Sequence, residues 1–284
     1  MQADERSLDE DYDEYPRIEE EFGEALDDSL NPRGPDSLYE IVVELGLPRG
    51  AGVLDLGCGE GKQSIELAKR FGFSVAGVDP VRRHIELAKE AAKAAGIAAR
   101  FELGRAEAIP LADASVDLVW CREVMVLVAD LGAAFAECRR VMREDGWMLL
   151  YQMFATGLLE PREAERLFGR TYSQAASWDA QMVEEAFVGA GFKIEKQVDF
   201  GGEWGAFAQE QRGDGGRQLV HAARLMRDPE RYIAKFGQRN YEIKLGDTMW
   251  HVYRMIGKLS GRAYVLRLAL AETPTGQGSA RMEI

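Results

Sequence analysis

Three glycines at alternate positions follow a short apolar run and precede a helical pattern. The stretch reads VLDLGCGEG over residues 53–61 and continues as KQSIELAKR. Glycine lets the backbone turn sharply and approach a ligand closely, because it adopts positive φ without steric cost. We therefore take Gly57, Cys58, Gly59 and Gly61 as candidate ligand-binding residues. A tight strand-to-helix corner without a ligand is the alternative.

Two aspartates beside this turn narrow the chemistry of the ligand. Asp55 precedes Gly57 by two residues, and a carboxylate there suits a cationic group better than two phosphates. A dinucleotide-binding turn needs its third glycine where this chain has Lys62. Asp79 follows Gly57 by 22 residues, close to the offset of about 20 residues of a ribose-binding carboxylate. The residues predict a ligand with a ribose and a positive group but no pyrophosphate, unless Asp79 is only a helix N-cap before Pro80.

The elements that must position these residues alternate between strand and helix patterns. The alternation predicts an α/β fold with a doubly wound, mostly parallel seven-stranded sheet. A helical insert interrupts the connection to the last strand, AYVLRLAL, and connections in compact domains usually have only about 4–6 residues. We divide the chain into an acidic N-terminal segment with a helix (1–34), a ligand-binding core (35–203), a helical lid (204–260) and a last strand with a tail (261–284).

Composition and charge exclude several classes of partner. The net charge is −13, but residues 1–30 hold 13 acidic residues and two arginines, so the remainder carries only −2. No Lys/Arg cluster offers a face for phosphates, which argues against nucleic acid. No run approaches about 20 apolar residues, and the first residues lack the features of a secretory signal. Cys58, Cys121 and Cys138 lack paired spacing, so we expect a cytoplasmic protein with reduced thiols and no membrane contact.

With these residues in place, the chain resembles the class I S-adenosylmethionine-dependent methyltransferases, in the branch that acts mostly on small molecules. The resemblance covers about residues 35–200. VLDLGCGEG is similar to the family's first motif, which wraps the methionine end of the cofactor. SVAGVDP is similar to the second, whose acid binds the ribose. LGRAEAIPLADASVDLVWCREV is similar to the segment that lines the adenine and leads into the fourth strand.

The resemblance implies S-adenosylmethionine as the cofactor and S-adenosylhomocysteine as its product. It implies Ala106 and Glu107 near the adenine, and Cys121 and Arg122 near the sulfonium. Carried over by position, the cofactor-binding residues are Asp55, Gly57, Cys58, Gly59, Gly61, Asp79, Pro80, Ala106, Glu107, Cys121 and Arg122.

Two positions depart from the family and leave the identity of a catalytic base open. Arg105 stands where many relatives have an aspartate that contacts the adenine, and Leu127 stands where many have a histidine. Methyl transfer needs a base only if the nucleophile keeps its proton at neutral pH. Glu123, directly after the fourth strand, is the first candidate near the methyl group. Its alternative role is a helix-start carboxylate satisfied by backbone N–H groups.

The helical insert is expected to fold over the ligand as a lid that selects the substrate. If the strand FKIEKQVDF is parallel to its neighbours, the chain leaves it on the ligand side of the sheet. His251 and Tyr241 are further catalytic candidates, with a surface histidine as the alternative for His251. Trp204, Trp250 and Arg254 are candidate substrate contacts, since aromatic walls with few polar groups usually line small-molecule pockets. No His/Asp/Glu cluster has the spacing of metal ligands, so no metal is expected.

The sequence therefore predicts methyl transfer to an oxygen, nitrogen or carbon atom of a small organic molecule in specialised metabolism. One alternative is a protein of the same fold that binds the cofactor without transferring methyl. Another is a nicotinamide-dependent oxidoreductase, which Lys62 argues against. Both a monomer and a homodimer are compatible with the patterns.

Overall fold

A computed structural model describes residues 8–171 and 173–269, and its centre is a single sheet of seven strands. The strands are β1 Gly52–Leu56, β2 Ser74–Asp79, β3 Arg100–Leu103, β4 Val116–Arg122, β5 Met142–Ala155, β6 Phe192–Gly201 and β7 Leu259–Leu268. Their order across the sheet is β3-β2-β1-β4-β5-β7-β6. Strands β1 to β5 are parallel, and β7 is antiparallel to both of its neighbours. The predicted doubly wound, mostly parallel seven-stranded sheet is confirmed.

The sheet is accompanied by α-helices, several of which pack on its two faces. They are α1 Leu8–Asp27, α2 Ser37–Glu44, α3 Lys62–Phe71, α4 Arg82–Ala94, α5 Leu131–Val141, α6 Pro161–Thr171, α7 Ala180–Gly189, α8 Glu203–Arg212, α9 Asp214–Arg227, α10 Pro229–Phe236 and α11 Gln238–Met255. Helix α11 ends before the predicted boundary at 260, because Gly257 has a positive φ of 76° and Leu259 already pairs with β5. Residues 1–7 of the predicted acidic segment, and Leu270 with the predicted tail, lie outside the described residues.

The direction of β6 places the helical insert at the ligand edge. The neighbour of β6 in the sheet is β7, and this pair is antiparallel, so the condition that β6 is parallel to its neighbours is not met. Because β7 itself runs against β5, β6 nevertheless points the same way as the five parallel strands. Gly201 therefore ends β6 at the carboxyl edge of those strands, and α8 begins there at Glu203.

The alternation of side chains along the strands decides which residues reach the insert. Successive residues of a strand point to opposite faces of the sheet. Trp120 and Tyr151 are buried on the face shared with α2, α3 and the insert, where Trp204 also packs. Cys121 is buried in the cluster on the opposite face with α5 and α7. Arg122, one residue further along β4, consequently shares the face that the insert covers.

A second segment also covers this face, and the sequence patterns did not predict it. Residues 156–179 connect β5 to α7 and contain α6, which packs against α11. Within α6 only Leu167 and Phe168 are large apolar residues, and the Phe168 ring lies 5.3 Å from that of Trp178. So few apolar residues give a weak periodic signal, although they suffice to fix the helix against the insert.

Candidate functional site

The glycine-rich turn joins β1 to α3. Gly57, Gly59 and Gly61 have positive φ values of 69°, 51° and 82°. A Cβ atom at Gly57 would collide with the Val124 side chain, whereas one at Gly59 would meet no atom of the described residues within 4 Å. Gly61 and Cys58 pack towards α4. The turn therefore exposes its backbone to a ligand at Gly59 and is closed by packing elsewhere.

Asp79, at the end of β2, holds this turn in place. Its Oδ2 accepts the Gly59 N–H at 3.0 Å, and its Oδ1 accepts the Val81 N–H at 2.8 Å. His84 Nδ1 lies 3.0 Å from the same Oδ1. The N-cap of α4 is Val81, so Asp79 supports the approach to the helix without being its cap. Sequence reasoning missed His84, although its place five residues after the acid puts it on the first turn of α4.

Asp55 lies buried beneath the turn. Ser64 Oγ donates a hydrogen bond of 2.5 Å to Asp55 Oδ2. Burial raises the pKa of Asp55 to about 7, and the Ser64 hydrogen bonds and the Arg122 charge oppose this rise. A cationic group nearby would favour the charged form of this carboxyl. The environment of Asp55 thus fits the expected role beside a positive ligand group.

The remaining expected cofactor contacts differ in accessibility. Pro80 is exposed between β2 and α4, and Ala106 is buried in the turn after β3. Glu107 pairs with Arg105, the residue that departs from the family, at 3.4 Å. The Cys121 side chain is 1% exposed and faces away from the insert. Only its backbone can therefore approach a ligand on the insert side.

A cleft of 980 Å³ lies between the N-terminal segment, α3 and the helical insert. Arg122, Trp204, His251 and Arg254 line it. The Arg122 guanidinium lies 5.0 Å from the centre of the Trp204 ring, which stacks on Tyr151 at 4.0 Å. Trp204 Nε1 and Arg254 Nε are buried donors without a partner in the described structure. Since buried polar groups are nearly always hydrogen-bonded, both donors are available to a ligand.

A smaller cavity of 280 Å³ lies between Glu123 and the helical insert. Glu123 has a positive φ of 57°, and its N–H donates to the Tyr151 carbonyl oxygen at 2.8 Å. Burial raises the pKa of Glu123 to about 7, and the charges of Arg122 and Arg254 and a backbone hydrogen bond from Met153 oppose the rise. A carboxyl that titrates near neutral pH suits general-base catalysis, and strained backbone tends to cluster at functional sites.

The walls of this Glu123 cavity come from three parts of the chain. They are formed by Val126, Leu127, Arg170, Ser173, Trp178, Ile243, Asp247 and Trp250. Sequence reasoning anticipated Trp250 but missed Arg170 and Trp178, which belong to the unpredicted segment 156–179. The alternative role of Glu123 as a helix-start carboxylate does not hold, since the helix that follows is a short 3₁₀ helix, Met125–Leu127, whose N-cap is Val124 and has no side-chain cap. The backbone N–H that interacts with the Glu123 carboxyl is instead that of Met153 on β5.

The two other catalytic candidates lie in different places. His251 lines the large cleft, and its Nδ1 is 3.4 Å from Arg254 Nη2. Burial and the Arg254 charge lower the pKa of His251, which favours the neutral ring. Tyr241 lines a separate cavity between α9, α10 and α11, and its hydroxyl donates to the Leu225 carbonyl oxygen at 3.2 Å. The structure therefore does not bring Tyr241 to Glu123 as expected, because Tyr241 faces the interior of the insert.

Within residues 8–171 and 173–269, no group of three or more His, Cys, Asp and Glu side chains is placed to hold a metal ion. Over the same ranges, none of the helices has both the length and the apolar character of a membrane span.

Comparison with known sequences finds similarity over the centre of the chain. Residues 53–146 match the family described as a methyltransferase domain. Methyltransferase GfsG of Streptomyces halstedii is 33% identical over 135 residues, which are 47% of this chain and 49% of that protein. The ubiquinone biosynthesis O-methyltransferase of Rhizobium johnstonii is 37% identical over 97 residues, 34% of this chain and 39% of that protein. The matches thus span about half or less of these relatives.

Solved structures resemble a larger share of the chain. The cyclase SpnF has a TM-score of 0.65 at 18% identity, over 83% of this chain and 82% of that one. Geranyl diphosphate C-methyltransferase of Streptomyces coelicolor, solved with Mg²⁺, geranyl diphosphate and S-adenosylhomocysteine, has a TM-score of 0.61 at 14% identity, over 82% and 78%. At these identities the similarity establishes a shared fold.

Proposed function

We propose that the chain, whose residues 53–146 match the methyltransferase-domain family, is a class I S-adenosylmethionine-dependent methyltransferase that transfers a methyl group to an oxygen, nitrogen or carbon atom of a small organic molecule. The observation that carries the proposal is the turn after β1, with open space over Gly59 and the Asp79 carboxylate beside it. A corner that served packing alone would be filled at Gly59, as it is at Gly57.

The residues around the turn fit the cofactor that the family uses. Gly59 offers backbone to it, and the carboxylate oxygens of Asp79 keep lone pairs for two ribose hydroxyls. Asp55 supplies negative charge for the amino group, and Ala106 and Glu107 border the adenine. When bound, S-adenosylmethionine supplies an electrophilic methyl group on a sulfonium. The protein aligns the acceptor with that methyl group and excludes water.

The Glu123 cavity is the proposed acceptor site. In this proposal Glu123 accepts the proton of a hydroxyl, amine or carbon acid, and Trp178 and Trp250 form its aromatic walls. A volume of 280 Å³ is near the lower end of small-molecule pockets, which are about 300–1,000 Å³. The partly apolar walls favour a hydrophobic acceptor, such as those of specialised metabolism. His251 and Arg254 extend the site into the large cleft.

A second candidate function is cofactor binding without methyl transfer. One observation favours it, namely that the structure described as the cyclase SpnF shares this fold with a TM-score of 0.65. Leu127, at the position where many relatives have a histidine base, is compatible with such a role.

Mass spectrometry of the small molecules released from the purified, denatured protein tests the cofactor. S-adenosylmethionine or S-adenosylhomocysteine in near-stoichiometric amount supports the proposal, and a co-released acceptor identifies the substrate. No release, followed by no binding in a calorimetric titration, overturns it. Single-turnover transfer of a labelled methyl group to that acceptor then separates the two candidate functions, since only the first predicts labelled product.

A further inference from the structure

The cavity between α9, α10 and α11 is distinct from the large cleft and the Glu123 cavity. It has a volume of 480 Å³, and Leu225, Tyr232, Phe236 and Tyr241 form its apolar walls. Phe236 is 52% exposed, so the cavity opens to solvent as a groove. We call it the insert groove.

Positive charge lines the insert groove. The cationic side chains of Arg224 and Lys244 contribute to its walls. Lys244 already pairs with Asp247 at 2.8 Å, whereas Arg224 forms no salt bridge with another described residue. Over residues 214–244 the insert holds seven Lys and Arg against four Asp and Glu. A partner with apolar side chains and negative charge therefore fits this surface.

Helix α1 carries the complementary surface. Ile18, Phe22 and Leu26 follow one another at intervals of four, so they share one face of the helix. Their exposed fractions are 39%, 63% and 78%, and an apolar stripe of this kind normally packs against a partner. Residues 8–27 also hold ten acidic residues and one arginine.

Among residues 8–171 and 173–269, nothing covers the stripe on α1. Ser29 Oγ donates to Glu210 Oε2 at 2.7 Å, and the Arg33 backbone N–H and Nε donate to Glu203 Oε2 at 2.9 and 2.8 Å. These bonds fix the end of α1 beside α8, yet its apolar side chains face solvent. Both complementary surfaces are thus open in the same chain, and each can be filled by a second copy.

We propose that α1 of one copy docks its Ile18–Phe22–Leu26 stripe into the insert groove of a second copy, and that the exchange is reciprocal. The result is a two-fold dimer in which the same pair of surfaces meets twice. A 20-residue helix is about 30 Å long, so two such helices can provide the roughly 800 Å² per partner of a stable interface. The acidic face of α1 then lies against the basic insert. The inference is independent of the proposed enzymatic function.

Analytical ultracentrifugation of the full chain tests the dimer. The wild type is expected to dimerise, and Phe22→Glu, Leu26→Glu and Phe236→Glu each raise the dimer dissociation constant at least about tenfold, because each places a charge in an apolar contact. Val188→Glu is the matched control, since Val188 is an apolar residue on α7 that is 57% exposed and belongs to neither surface. Added salt weakens the wild-type dimer by screening, and Arg224→Gln reduces that dependence.

Cysteine cross-linking then identifies the two surfaces. A Phe22→Cys chain mixed with a Phe236→Cys chain forms a disulfide-linked pair on oxidation, whereas Phe22→Cys mixed with Val188→Cys does not. A wild type that stays monomeric at tens of micromolar overturns the proposal. So does a dimer that tolerates all three glutamate substitutions. A third chain carries both Phe22→Cys and Phe236→Cys. If it cross-links only within itself, the proposal is overturned as well, since α1 then occupies its own groove.

Discussion

At the scale of single residues, the carboxyls of Asp55 and Glu123 share a cause of pKa shift but differ in their partners. Burial raises the pKa of both Asp55 and Glu123 to about 7, and the charge of Arg122 opposes both rises. Ser64 Oγ is hydrogen-bonded to Asp55, which keeps that carboxyl inside the protein. Glu123 instead faces the cavity beneath the insert. Only Glu123 is therefore placed to exchange a proton with an acceptor.

The protonation of Glu123 should govern the pH dependence of methyl transfer. A base works in its ionised form, so the single-turnover rate should fall as pH drops below about 7 and level off above it. Glu123→Gln should lower the plateau by about 10²- to 10⁴-fold and remove this limb of the profile. The rate is measured between pH 5.5 and 9 with the acceptor found by mass spectrometry.

A ¹³C NMR titration of the Glu123 carboxyl checks its pKa without an acceptor. Asp247→Asn is the control for the rate, because Asp247 lines the same cavity and pairs with Lys244. The Asp247→Asn enzyme should keep the fall in single-turnover rate below about pH 7. A Glu123→Gln enzyme with an unchanged pH profile would show that another group, or none, removes the proton.

Asp79→Ala should remove most of the affinity for S-adenosylhomocysteine. Two hydrogen bonds to a charged acceptor contribute about 1.5–3 kcal/mol each, so the dissociation constant should rise at least about 100-fold. Isothermal titration calorimetry measures it. His84→Gln is the control, since His84 contacts the same carboxylate from α4, and it should change the dissociation constant by less than about threefold. Wild-type affinity in Asp79→Ala would exclude the ribose role.

At the scale of elements, the glycine-rich turn separates packing from ligand binding. Gly57→Ala adds a methyl group against Val124 at positive φ, and overpacking and left-handed strain together should cost about 2–5 kcal/mol of unfolding free energy. Gly59→Ala has open space and should cost only about 1–2 kcal/mol while weakening cofactor binding. Urea unfolding measures both variants.

Val124→Ala should partly restore stability to Gly57→Ala and not to Gly59→Ala, because only the first variant collides with that side chain. If both glycine variants lost the same stability and Val124→Ala rescued neither, then backbone strain alone would explain the turn. The packing difference between Gly57 and Gly59 would then contribute nothing to the free energy of unfolding.

The insert should be required for turnover but not for cofactor binding. Deleting residues 210–256 removes Trp250 and His251 but keeps Trp204, which is stacked on Tyr151 in the core. Methyl transfer should fall below detection, and the dissociation constant for S-adenosylhomocysteine should stay within about tenfold of the wild type. Persistent turnover in the single-turnover assay would mean that the insert does not cover the acceptor.

Local patterns allowed the sheet and the turn to be predicted, whereas contacts between distant segments did not follow from the sequence. Glycine spacing and strand alternation near Asp55 are local, and they predicted β1 and the turn that follows it. Arg170 lines the Glu123 cavity, but it lies on α6, a helix with too few apolar residues to give a clear periodic signal. Tyr241 was assigned to the wrong cavity, since helical periodicity shows which residues share a face but not what that face packs against.

At the scale of the whole molecule, the raised pKa of Asp55 has a consequence for folding. An unfolded aspartate has a pKa near 3.9, whereas Asp55 titrates near 7 in the folded protein. The folded state therefore holds this proton more tightly, and stability falls as pH rises from about 4 to 7. Below that window both states are protonated, and above it both are ionised. The contribution of Asp55 to stability is thus greatest in acid and smallest above pH 7.

Replacing Asp55 with asparagine should remove the loss of stability that Asp55 causes as pH rises. Asp55→Asn keeps an acceptor for Ser64 but cannot ionise, so its unfolding free energy relative to the wild type should rise between pH 4.5 and 7.5, by up to about 4 kcal/mol. Urea unfolding of the ligand-free proteins at four pH values measures this difference. Asp145→Asn, at an exposed carboxyl, should give a flat difference. A flat result for Asp55→Asn too would show that the folded protein accommodates the Asp55 charge without a penalty, and the buried acid would then be ready for a cationic ligand at any neutral pH.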